Sequence, residues 1–130
     1  MTMLRSQLVK QTQTNSMRRL QKDYKELRDA TVPLVGVSAA PMDDNFYVWH
    51  ANLKGPEQSA YYGGVFHLSI AFPPNYPCSP PTILLKTDVP HPNVFGSTIC
   101  LDMLQPKKKD AGWYDGWTSA YTVESVLIQL

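Results

Sequence analysis

The sequence predicts an α+β domain: a leading helix, a four-stranded antiparallel meander, a long irregular segment and the start of a second helix. Three observations predict it. Met17, Leu20, Tyr24 and Leu27 recur at steps of three and four, the spacing of a single helix face. After Pro33 the period falls to two, as in a strand with one buried face. From Lys86 to Thr122 neither period holds, and Val123, Val126, Leu127 and Leu130 then restore the helical one.

The first helix is expected over about Ser16 to Asp29, with Asn15 or Ser16 accepting bonds from its first free N–H groups. Residues 1–15, rich in Gln and Thr, are expected as a flexible or helical extension ahead of a core domain over 16–130. Val35, Val37 and Ala39 mark the first strand, and Pro41 to Asn45 a turn. Phe46 to Leu53 is the second strand, closed by Lys54-Gly55-Pro56. Gly63-Gly64 opens the third, in which Phe66, Leu68, Ile70 and Phe72 face one way and Val65, His67, Ser69 and Ala71 the other. Thr82 to Lys86 is the fourth, and the short connections make neighbouring strands antiparallel. The stretch Phe72 to Pro81 cannot continue a ladder, because five of its residues lack an N–H. Thr122 is expected to cap the second helix. The chain ends within that helical pattern, so a truncated domain is expected.

Composition narrows the function. At 130 residues and 14.7 kDa the chain is one domain's worth, and 43% hydrophobic with 18% charged residues argues against disorder. No apolar run is long enough to span a membrane. Twelve basic against eleven acidic residues give +1, which argues against nucleic acid as the main partner. Cys78 and Cys100 have no CxxC spacing, so a reducing cytoplasmic or nuclear setting is expected. Arg5, Lys10, Arg18, Arg19 and Lys22 precede any acidic residue, a transit-peptide-like composition that nevertheless runs unbroken into the first helix.

Function is sought in the irregular segment, since long loops in compact domains commonly carry it. Cys100 lies there, nine residues after His91, in Ser97-Thr98-Ile99-Cys100-Leu101-Asp102. An unpaired cysteine is most often a small buried hydrophobe. A thiolate is also the best protein nucleophile for carrying an acyl group. An Asn side chain such as that of Asn93 can stabilise the oxyanion formed when an amine attacks a thioester, or brace the loop around it.

His91-Pro92-Asn93 followed by Ile99-Cys100-Leu101-Asp102 resembles the active-site signature of ubiquitin-conjugating enzymes, the E2 family. Arg18 to Asp23 resembles the family's basic first helix, Tyr61-Tyr62-Gly63-Gly64-Val65-Phe66 its third-strand entry, and Phe72 to Pro77 with Pro80-Pro81 its proline loop. Trp117 ahead of Thr122-Val123-Glu124-Ser125 is similar to the tryptophan and helix cap that follow the family's cysteine. The order of these motifs together is what makes the resemblance specific.

The resemblance implies a UBC-like fold and a transferase that accepts ubiquitin, or a related modifier, from an activating enzyme (E1) as a thioester on Cys100. It implies transfer to a lysine of a substrate protein, usually with a ligase (E3), and no cofactor or metal, ATP being spent upstream. Asn93 matches the oxyanion or loop-bracing asparagine. Asp102 sits where many members carry an acidic residue near the incoming lysine, and two readings stand: orienting that amine, or a solvated loop charge. His91, Pro92 and Trp117 match structural positions near the site. Arg18, Arg19 and Lys22 match contacts with the activating enzyme, where a positive helix face suits an acidic partner; without the resemblance they are a solvated helix face. Cys78 stands where many members place an aromatic residue for ligase binding, and Ser119 where they place proline, departures that count against a typical RING-ligase contact. Ser38 falls on the strand that binds a second ubiquitin in some members. The spacing from Asn93 to Cys100 is one residue shorter than is common, and Phe95 stands where some members have tyrosine. Gln105 to Gly116 form an insertion with three consecutive lysines, read either as a flap over modifier or substrate or as a surface loop. The family continues past the second helix, so its C-terminal helices are expected to be missing here.

A cysteine hydrolase built on Cys100, His91 and Asp102 is the rival enzyme, but proximity in sequence does not give nucleophile and base hydrogen-bond reach. A Cys-x5-Arg phosphatase fails, since Gln105 and Pro106 stand where the arginine belongs. His50, His67 and His91 have no metal-ligand spacing. A catalytically silent E2-like binding module, or an inactive fragment, is the reading from a different class.

Overall fold

The computed structural model describes residues 2–30, 36–55, 57–87, 94–95, 98–99, 101–105 and 116–129. The helix α1 spans Thr2–Arg28, and β1 (Val37–Met42), β2 (Asn45–Lys54), β3 (Val65–Ala71) and β4 (Thr82–Leu85) form the expected meander. Two short strands, β5 (Val94–Phe95) and β6 (Thr98–Ile99), extend the sheet to the order β1-β2-β3-β4-β6-β5. They are two residues each, too short to leave a period in the sequence. A single 3-10 turn (Asp102–Leu104) and α2 (Val123–Gln129) complete the described elements.

The helix starts far ahead of Ser16. Residues 2–15 contain neither Gly nor Pro, so nothing breaks the helix upstream, and Ser16 sits inside it rather than capping it. Ser16 is buried, with Oγ 2.9 Å from the Gln13 carbonyl and 2.6 Å from Tyr47 Oη on β2. Pro41 lies within β1 rather than in the turn. It is tolerated because β1 is the edge strand, where a missing N–H breaks no ladder on the open side, and the register shifts between Pro41 and Met42.

The core follows the period of two. Trp49 pairs with Ile70, Ala51 with Leu68 and Leu53 with Phe66, which puts one face of β2 and β3 inward. At Gly55, after β2, an added Cβ would lie 1.7 Å from the Tyr61 carbonyl oxygen, so the turn back towards β3 admits no side chain there. Ile83 of β4 continues this inner face, and Leu20 of α1, Leu104, and Val123, Val126 and Leu127 of α2 close over it. Thr122 caps α2 as expected: the Ser125 N–H donates to Thr122 Oγ1 and the Thr122 N–H to Ser125 Oγ, each at 3.2 Å.

Candidate active-site scaffold

A buried carboxylate organises the region around the proline loop. Asp23 on α1 is 1% exposed and accepts two hydrogen bonds: from Arg19 Nε at 2.9 Å, one helical turn back, and from the Tyr76 hydroxyl at 2.5 Å. Arg19 also donates from Nη2 to the Tyr121 carbonyl at 2.9 Å, tying α1 to the residues that lead into α2. Burial, then the hydrogen bond to Asp23, pushes the Tyr76 phenol well above its ordinary value, so it stays a neutral donor. Neither Asp23 nor Tyr76 stands out in the sequence; the Arg19/Asp23 spacing of four is the available signal.

Tyr76 carries this anchor into the proline loop. The next residue, Pro77, follows a cis peptide bond, and its carbonyl accepts from Trp117 Nε1 at 2.7 Å and Ser119 Oγ at 3.2 Å. Trp117, expected to be structural, is 5% exposed and fills the space beside Tyr76, their rings 6.0 Å apart. Cys78 and Ser119 are thereby brought to neighbouring exposed positions on either side of one carbonyl group.

The segment around Cys100 is held on both sides. Upstream, β6 pairs with β4 through Leu84 and Thr98, and with β5 through Val94–Ile99 and Phe95–Thr98. Downstream, Leu101 packs on the core, Leu104 is buried, and the Leu104 N–H donates to the Leu101 carbonyl at 3.0 Å. The Trp117 N–H donates to the Gln105 carbonyl at 2.8 Å, so the two ends of the 105–116 insertion meet. His91, Pro92, Asn93 and Cys100 lie outside the described residues, as does the Asp102 side chain, although its backbone opens the 3-10 turn.

Of the basic residues on α1, Arg18 is exposed and Lys22 is exposed with Nζ 3.9 Å from Glu26. Arg19 is mostly committed inward, its side chain 21% exposed. Among the described residues no group of three or more His, Cys, Asp or Glu stands together to hold a metal, and no helix is long and apolar enough to cross a membrane.

Residues 19–130 match the family model described as ubiquitin-conjugating enzyme. Ubiquitin-conjugating enzyme E2 2 of Candida glabrata and ubiquitin-conjugating enzyme E2 1 of Caenorhabditis elegans are each 37% identical over 118 residues, 90% of this chain. The chain spans 64% and 56% of the lengths of those two relatives. Among solved structures, human ubiquitin-conjugating enzyme E2 G1 is similar with a TM-score of 0.73 and 32% identity, covering 84% of this chain and 85% of that one.

Proposed function

The chain belongs to the ubiquitin-conjugating enzyme family, and from that premise we propose that the protein carries ubiquitin, or a ubiquitin-like modifier, as a thioester on Cys100 and delivers it to a lysine. The observation that carries this reading is the family match over residues 19–130, with Cys100 falling between two residues, Ile99 and Leu101, that pack against the core. In the first step the Cys100 thiolate attacks the thioester that links modifier to activating enzyme, and the enzyme's thiolate leaves. In the second a lysine amine attacks the Cys100 thioester, the tetrahedral oxyanion collapses, and the sulfur leaves as thiolate while the amine loses a proton. Asn93 steadies that oxyanion or the loop around it, and Asp102 orients the amine.

No cofactor takes part in either step; ATP is consumed upstream by the activating enzyme. Arg18 and Lys22 supply the exposed positive face for that enzyme, with Arg19 acting mainly as a brace. The surface around Cys78 and Ser119 stands in the place of the family's ligase contact without the aromatic residue and proline of a typical RING-ligase site, and the compartment is reducing, cytoplasmic or nuclear.

The test is a loading assay on the full-length protein with activating enzyme, modifier and ATP. We expect an adduct on non-reducing gels that disappears with thiol and is absent in Cys100→Ala. Asn93→Ala should load normally and discharge to free lysine at least tenfold more slowly. A wild-type chain that never loads any modifier removes the reading, and peptide hydrolysis without modifier would favour a hydrolase.

A further inference from the structure

The outer face of the sheet, opposite the core, carries a pair of imidazoles that no step of the transfer uses. His50 on β2 and His67 on β3 lie there because Trp49, Ala51, Leu68 and Ile70 take the inner face. The register sets His67 opposite Asn52 and His50 opposite Ser69, so the two histidines meet on the diagonal. His50 Nδ1 is 2.9 Å from His67 Nε2, with the rings 17° from parallel and their centroids 4.9 Å apart. The other nitrogen of His67, Nδ1, is 3.0 Å from Asn52 Oδ1.

That last contact fixes the chemistry. A carbonyl oxygen only accepts, so His67 Nδ1 donates to it, and the neutral ring is left with a bare Nε2 facing His50. Ligating histidines are held in the same way, with the second ring nitrogen donating to an oxygen that sets tautomer and orientation. We propose that His50 Nδ1 and His67 Nε2 form a two-imidazole site for a borderline transition-metal ion such as Zn²⁺, with Asn52 as the positioning residue.

Two imidazole–zinc bonds of about 2.0–2.1 Å at a tetrahedral angle place their nitrogens about 3.3–3.4 Å apart, so the observed pair must open by about half an ångström and both rings must turn from facing each other towards a common point beside them. The hydrogen on His50 Nδ1 moves to Nε2 of the same ring, through solvent, as the metal bond forms. Asn52 and Ser69 directly opposite, Ser38 and Ala40 on β1, Lys54 on β2 and Leu84 on β4 are neighbouring positions on this face, with Lys86 just after β4 donating its N–H to the His67 carbonyl, and none is a carboxylate. An imidazole pair without carboxylates selects zinc, copper or nickel over calcium or magnesium. Among the described residues no third His, Cys, Asp or Glu joins the pair, so water completes the coordination.

The test is calorimetric titration of Zn²⁺ into full-length protein carrying Cys78→Ser and Cys100→Ser, which removes the thiols as competing ligands. We expect one ion per chain with micromolar affinity, weakening on acidification as protons compete for the nitrogens. Affinity should fall at least tenfold in His50→Gln and in His67→Gln. Asn52→Ala, which keeps both imidazoles, should weaken binding about tenfold or more. In parallel, Zn²⁺ should move the ring resonances of both histidines. Undiminished affinity in both histidine variants, unmoved ring resonances, or no saturable binding would overturn the proposal.

Discussion

Tyr76 shows how much one hydroxyl can hold. It lies in a proline-rich loop, yet it is 1% exposed and donates to a carboxylate on α1, so loop and helix share one buried hydrogen bond. A hydrogen bond to a charged group contributes about 1.5–3 kcal/mol, and Tyr76→Phe should cost about that much in urea unfolding near neutral pH. The pH dependence has a definite sign. The native phenol is pushed upward by burial and by Asp23, so its contribution is fully present below the unfolded tyrosine value of about 10. Above that, the unfolded chain releases the proton while the native one retains it, and stability falls by up to about 1.4 kcal/mol per pH unit. The gap between wild type and Tyr76→Phe should therefore narrow as pH rises past 10. A gap that widens there would mean that the native phenol ionises more easily than the unfolded one.

At the scale of elements, α1 is one helix with two different supports. From Ser16 onward Leu20, Asp23, Tyr24 and Leu27 engage the core or its network, whereas Met3, Leu4, Leu8 and Val9 are exposed. The first half is helical through propensity and continuation from the packed half, since short helices without packing are marginal in water. Deleting residues 2–10 should therefore lower helical circular dichroism while moving the melting temperature by no more than about 3 °C, as expected for loss of surface residues. A larger drop would show that this half is packed after all. β1 carries the complementary lesson: a proline that looks like a turn in sequence fits an edge strand, and edge position is a property of the sheet.

Across the whole molecule, aromatic rings link the elements into one core. Tyr24 meets Trp49 at 5.6 Å, Trp49 meets Phe72 at 5.3 Å, Phe72 meets Tyr76 at 4.8 Å, and Trp117 meets Tyr121 at 5.5 Å beyond Tyr76. The series runs from α1 through the sheet and proline loop to the residues before α2, so unfolding one part exposes the rest. Near-ultraviolet and far-ultraviolet circular dichroism should report the same urea midpoint, and separated midpoints would refute a single cooperative unit. Local order in the chain was enough for the period-of-two faces of β2 and β3, the Thr122 cap and the motif order that names the family, because burial and hydrogen bonding among near neighbours write themselves as spacing. Asp23 with Tyr76, Arg19 with Tyr121, Gln105 with Trp117 and His50 with His67 leave no such trace. Each of the first three joins a helix, loop or insertion end to a distant segment, and the fourth joins two strands. These contacts exist only once strand register and chain closure have brought separated residues within reach.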